Sequence, residues 1–187
     1  AVVFWHQPME LVRCIEMIVR RVVTGVSDAG RSGVVHDGDT PGHFDLGVSE
    51  FDVLWQTDST PPDLRGTDDP ADVSHYAMQP PPGGIKWIVL RVPPEKESSA
   101  VDRSTRGFAE MMSKFDDGGV MESGRDGWHT TQTLDFVTVL SGEIDLELDG
   151  GITRLRAGDC VIQRGSRHRW INRGDEPCLL SGVIIAA

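Results

Sequence analysis

From residue 129 to the C-terminus, short apolar-rich runs alternate with glycine turns at an even spacing. A chain with that rhythm has few choices besides an antiparallel barrel or sandwich. Residues 134–140 form one run, closed by Ser141-Gly142. Residues 143–149 (EIDLELD) alternate acid with aliphatic, and Asp149-Gly150-Gly151 is a hairpin signal. Residues 152–156, 160–163, 168–172 and 178–185 continue the series. Turns at Ala157-Gly158-Asp159, Arg164-Gly165-Ser166 and residues 173–177 separate them.

Strand periodicity then fixes which side chains share a face. In the run HTTQTLDFVTVL, His129, Thr131, Thr133 and Asp135 fall on one side, followed by Val137 and Val139; Leu134, Phe136 and Leu140 fall on the other. A polar inner end above an apolar inner stretch is what a ligand pocket over a packed barrel floor requires. The opposite face suits another layer or a partner subunit. The acids of residues 143–149 (Glu143, Asp145, Glu147, Asp149) are expected on one exposed, solvated face, which argues against calcium.

The layout of two segments resembles the cupin motifs. HTTQTLDFVTVLSG carries His129, Thr131, Asp135 and Gly142 at first-motif positions, and GDCVIQRGSRHRWIN carries Gly158, Gly165, His168 and Asn172 at those of the second. The resemblance extends upstream through RRVVTG, WQTDSTPPDLRG and PPPGG, toward small single-domain cupins of uncharacterised and secondary-metabolite proteins. It implies an all-β fold: a double-stranded β-helix, or jelly-roll barrel, with an N-terminal β extension and one short helix near 104–115. Metal-binding cupins carry a second His where Thr131 stands and a Glu where Asp135 stands; the motif's proline is absent, and the interval from Gly158 to His168 is one residue short.

That resemblance singles out His129, Asp135 and His168 as the catalytic centre. Two forms stay open. The three could hold Fe, Mn or Zn, or they could act without metal as an acid–base group. Thr131, Gln163, Arg164 and Trp170 are the substrate-binding candidates, Arg164 as a fork of donors and Trp170 as a flat wall; Asn172 is expected to tie down the turn after it. The implied chemistry is a lyase or isomerase, a decarboxylase or dehydratase acting on an oxygenated, ring-containing or polyketide-like metabolite. A metal-dependent dioxygenase and a non-catalytic ligand-binding protein are the alternatives.

Upstream, residues 18–23 are β-branched and read as a strand. The preceding stretch from Pro8 has helical spacing of Leu11, Ile15, Ile18 and Val22. Residues 25–47 are expected to be turns with one short strand at most, 51–56 a strand, 58–70 a loop, 75–79 a short strand and 85–92 a long one. Ser104 can cap a helix whose stripe is Phe108, Met111, Met112 and Phe115, packed on the barrel wall or lying over its mouth. Residues 1–92 would thus complete the barrel and a dimer surface, 93–127 connect, and 128–187 hold the core motifs, with 18–23 the candidate subunit contact.

Composition narrows the partners. Lys and Arg number 18 against 29 Asp and Glu, a net charge of −11, which is wrong for phosphate backbones. The most apolar stretch, 11–23, is broken by Arg13, Glu16, Arg20 and Arg21, so no membrane span is expected. Cys14, Cys160 and Cys178 have no pairing pattern and suggest reduced thiols in a cytoplasmic protein. The chain opens on Ala1 without Met, which suggests a missing or processed N-terminus. A small-molecule substrate and a homodimer are the expected partners.

Overall fold

The computed structural model describes residues 18–66, 68–124 and 126–187. The helical spacing noted from Pro8 to residue 17 lies outside them. In chain order the elements are β1 (Arg20–Val26), β2 (Ser32–Asp39), β3 (Gly42–Asp45), β4 (Glu50–Thr57), β5 (Tyr76–Ala77) and β6 (Ile85–Val92). Then come α1 (Glu95–Ser98), α2 (Arg106–Met112) and β7 (Phe115–Asp116). The C-terminal series is β8 (Thr133–Ser141), β9 (Glu143–Leu148), β10 (Gly151–Arg156), β11 (Cys160–Arg164), β12 (His168–Ile171) and β13 (Cys178–Ala186).

A six-stranded sheet in the order β11-β8-β13-β6-β4-β3 makes one wall of the jelly roll, and β10-β9-β12 makes the other. Strands from both ends of the chain therefore meet in one sheet, where β13 pairs with β8 on one side and β6 on the other. Alternation along β8 and β13 does the sorting. Val139, Leu180 and Ile184 are buried, whereas Phe136 and Leu140 face out. Two core clusters result, one around Val53, Tyr76, Ile88 and Ile184, the other around Val139, Ile144, Leu146 and Leu180. Between them the barrel stays open as a cavity of about 380 Å³.

Turn chemistry fixes the corners. Gly142 has φ +76°, and a Cβ there would lie 2.9 Å from the Pro177 carbonyl and 3.0 Å from Cys178 Cα. Glycine is demanded twice over, by conformation and by space. Asn172, almost fully buried, donates to the carbonyls of Val92 (2.9 Å) and Glu176 (2.8 Å) and accepts from Gly174 N–H (2.9 Å). It ties the turn after β12 to the end of β6.

Four expectations need correction. Residues 25–47 hold two strands, β2 and β3, besides the end of β1. β2 pairs with β1 as an outlying ribbon turned at Gly30 (φ +73°), so backbone pairing forms it with little burial for a hydrophobic pattern to report. The helix starts later than Ser104: Thr105 is the cap, accepting from Phe108 N–H at 3.1 Å, while Asp102 holds Ser104. It ends at Met112, and Phe115 instead pairs in parallel with Tyr76. Finally, the acids of β9 are not simply solvated. Asp145 is buried between Arg154 and Arg173, and Glu147 is paired with Arg169 (2.7 Å). Neighbouring β10, β12 and the following turn supply the arginines that cover this acidic face. The short α1, begun after Pro94 and held by Glu95 N–H on the Asn172 carbonyl (2.8 Å), has no counterpart in the sequence reading.

Candidate functional site

His129 lies four residues before β8 and His168 opens β12. An isolated antiparallel bridge joins them, each N–H donating to the other's carbonyl at 3.0 Å. Cross-strand partners share a face, so the rings meet, with centroids 4.1 Å apart. Trp170, two residues along β12, stands edge-on to His168 at 6.0 Å. All three line the cavity.

Hydrogen bonds assign the ring nitrogens. His129 Nδ1–H donates to the Gly127 carbonyl (2.9 Å) and His168 Nδ1–H to that of Ser166 (2.8 Å). Each ring is thereby the Nδ1–H tautomer with its lone pair at Nε2. On His168 the Gln163 amide nitrogen is 2.6 Å from Nε2 and 2.7 Å from Nδ1, so it lies against the face of the ring between the two nitrogens and not in line with the Nε2 lone pair. Burial lowers both imidazoles' affinity for protons, for His168 to about 4, where the neighbouring His129 adds to the effect. Both rings are neutral at pH 7.

Asp135, on β8, faces Gln163 on β11 across the pair. Its carboxyl is buried, with Oδ1 lacking a hydrogen-bond partner, and Gln163 Oε1 is in the same condition. Burial holds the Asp135 pKa above the ordinary carboxylate range, partly offset by the Thr133 hydroxyl. Thr133 Oγ1 also shares a hydrogen bond with Thr131 Oγ1 (2.7 Å), which puts alternate residues of this run on the inward face.

The rest of the cavity is apolar. Phe51, Tyr76 and Phe115 form one aromatic wall, with Tyr76 and Phe115 stacked at 5.7 Å, and Phe108 and Met112 of α2 lie on the lining. Phe108 and Met112 of the stripe thus face the cavity, whereas Met111 turns toward Gly47. Of the residues expected from sequence, His129, Thr131, Asp135, Gln163, His168 and Trp170 all line this space. Arg164 does not; it is exposed on β11, one residue out of phase with Gln163, so period-two alternation turns it away. Tyr76 went unnoticed in the sequence, where its one signal was that it is the chain's single tyrosine.

Residues 118–185 match the family model described as Cupin domain. The chain is a cupin-domain protein. It is 33% identical over 132 residues to phomopsin biosynthesis cluster protein C' of Diaporthe leptostromiformis, covering 68% of this chain and 55% of that one. A cupin-domain-containing oxidoreductase of Neurospora crassa, srdD, is 27% identical over 161 residues, with 84% and 68% covered. The cupin domain of Schizosaccharomyces pombe Cnp3 aligns at a TM-score of 0.46 with 12% identity, over 90% of this chain and 88% of that one. The chain spans about half the length of the phomopsin-cluster relatives it matches.

A metal shell in the manner of the family needs three or four protein donors around one point. Here the third imidazole is replaced by Thr131, and the Gln163 amide packs against the His168 ring. Among the described residues no three His, Cys, Asp or Glu side chains are grouped as a metal ion requires. Two imidazoles without a third donor grouped beside them do not fit a resident metal. Likewise among the described residues, no helix is long and apolar enough to cross a membrane.

Proposed function

We propose that this cupin is a small-molecule lyase or isomerase working by acid–base chemistry, with His129 as base and Asp135 as acid. The observation that carries the reading is the meeting of a base and an acid in one cavity: His129 keeps an open Nε2 lone pair, and the buried Asp135 carboxyl keeps Oδ1 without a hydrogen-bond partner. Burial keeps His129 unprotonated at neutral pH and keeps Asp135 holding its proton to higher pH than a solvated carboxyl does. Opposed shifts on neighbouring groups are how one cavity runs a base and an acid together. In a dehydration, His129 takes the proton from carbon, that electron pair becomes the double bond, and Asp135 protonates the departing hydroxyl as water. His168 and Gln163 position the base and narrow the cavity beside it.

The cavity volume fits a small metabolite. Its aromatic wall and polar end suit an amphipathic, oxygenated, ring-containing or polyketide-like compound, and its relatives in fungal biosynthetic clusters point the same way. Dehydration or double-bond isomerisation is favoured over decarboxylation, since Arg164 lies outside and the two arginines on the lining, Arg103 and Arg169, are paired with Asp126 and Glu147. An oxidoreductase is the second reading, favoured by the names of two relatives at 27% and 28% identity.

The test is incubation with β-hydroxy carbonyl and hydroxylated aryl compounds in D₂O, followed by mass spectrometry. Loss of water, or deuterium gained at carbon, is expected with the wild type. His129→Gln should slow it on the order of 10²–10⁴-fold, the usual worth of a positioned base. Full turnover in that variant, or ligand binding without any product across the panel, would sink the proposal.

A further inference from the structure

Tyr76 is 1% exposed and lies on the cavity lining, yet its hydroxyl has no hydrogen-bond partner among the described residues. A buried phenol as a rule keeps its O–H paired. One left open to a cavity is complementary to an acceptor that the cavity receives.

Its neighbours hold the phenol still. Phe51 and Phe115 lie at 4.4 and 5.7 Å from its ring, Phe44 stands edge-on at 5.9 Å, and Lys86 Nζ sits 5.0 Å over it. Tyr76 N–H donates to the Lys114 carbonyl (2.7 Å) and Lys86 Nζ to that of Ala77, so β5 is pinned from two sides. Lys86 also places the ring relative to the acid. Asp135, Ile184 and Lys86 are paired in succession on β8, β13 and β6, at one level of the inner face, and Tyr76 shares a core cluster with Ile184. Burial first, and Asp135 second, raise the proton affinity of the phenol above its ordinary value, so it stays a donor at neutral pH.

We propose that Tyr76 is a catalytic residue whose hydroxyl donates to the substrate's carbonyl oxygen and stabilises the enolate formed there, which makes β-hydroxy carbonyl compounds the substrate class. The inference rests on the acid–base reading above and supplies the oxyanion donor which that reading lacks. When His129 Nε2 takes the α-proton, the C–H electron pair becomes a carbon–carbon double bond and the carbonyl π pair moves to oxygen. The hydrogen bond from Tyr76 strengthens as that charge grows, and the proton stays on Tyr76. The enolate then re-forms the carbonyl and expels the β-hydroxyl, which Asp135 protonates as water. The proton on His129 returns to Asp135. Arg103, Arg169, Asn172 and Thr131 also lie on the lining, but each is committed: to Asp126, to Glu147, to the Val92 and Glu176 carbonyls, and to Thr133.

The chain's single tyrosine makes the test direct. Protein labelled in the tyrosine ring with an NMR-active carbon isotope gives one resonance, and dimedone, a cyclic β-diketone that is an enolate at neutral pH, is the probe. Binding is expected to shift that resonance. Tyr76→Phe should weaken binding on the order of 10–100-fold, the worth of a hydrogen bond to a charged acceptor. Because the deleted oxygen has no protein partner, the melting temperature of the variant should match that of the wild type. Water loss from a β-hydroxy ketone should slow on the order of 10²–10³-fold in kcat, as for other single oxyanion donors. A probe that does not bind the wild type, a resonance unmoved by bound probe, or equal affinity in Tyr76→Phe overturns the assignment. Failure of the acid–base reading looks different: probe held through Tyr76, but neither deuterium exchange nor water loss with the wild type. Turnover that Tyr76→Phe retains in full would leave that reading standing and remove Tyr76 from it.

Discussion

His168 makes the folded protein sensitive to mild acid. It is 2% exposed, its Nδ1–H is committed to Ser166, and a proton on Nε2 would place a buried charge against the Gln163 amide nitrogen and a second imidazole. Burial first, and His129 second, lower its pKa from 6.5 to about 4. The unfolded chain therefore takes up a proton near pH 6.5 that the folded chain refuses until about pH 4. Stability is full above the unfolded value and falls as the pH drops through that window, by about 3 kcal/mol from this group alone. The assay is urea unfolding of wild type and His168→Gln at several pH values across the window. Carboxylates titrate in both proteins, so their effect cancels in the difference. The wild-type advantage, whatever its size at neutral pH, should shrink by about 3 kcal/mol toward pH 4. A difference that stays constant with pH, or an NMR titration of His168 centred near 6.5, would refute this picture of a buried neutral imidazole.

Asn172→Ala strips partners from the carbonyls of Val92 and Glu176 and from Gly174 N–H, and should cost about 3 kcal/mol in chemical denaturation, at about 1 kcal/mol or more per orphaned group. Gly142→Ala forces an L side chain into φ +76° against Pro177 and Cys178, so its melting temperature should fall by several degrees, more than for Gly150→Ala, where a Cβ meets nothing. Asp145→Asn leaves Arg154 and Arg173 without their shared anion. It should destabilise by about 1 kcal/mol at pH 7, since both arginines stay part-exposed, an effect that vanishes under acid conditions, because the depressed Asp145 pKa contributes only while the carboxyl is ionised.

The C-terminal series was legible because its strands are short, half-buried and bounded by glycine, which leaves period-two alternation intact. That alternation placed Thr131, Asp135 and Val139 inward and Phe136 and Leu140 outward before any coordinates. It misled at Asp145, where cross-strand arginines bury an acid that looks solvated along one strand. Arg164 was taken for a ligand contact on residue type, although its phase relative to Gln163 already pointed it outward. The strand β2 and the helix α1 were invisible for the opposite reason: they bury so little that no apolar pattern marks them. Nor does sequence order reveal Gln163 beneath His168, a contact made only when β11 and β12 fold over one another.

The sharpest check on acid–base chemistry in place of a metal centre is retention of metal by the purified chain. Wild type and His168→Ala would each be loaded with Fe(II), Mn(II) and Zn(II), desalted and analysed for bound element. With no third donor grouped beside the two imidazoles among the described residues, both proteins should retain well below one equivalent, to the same extent. Near-stoichiometric metal in the wild type that disappears in His168→Ala would contradict the reading and make the paired histidines ligands.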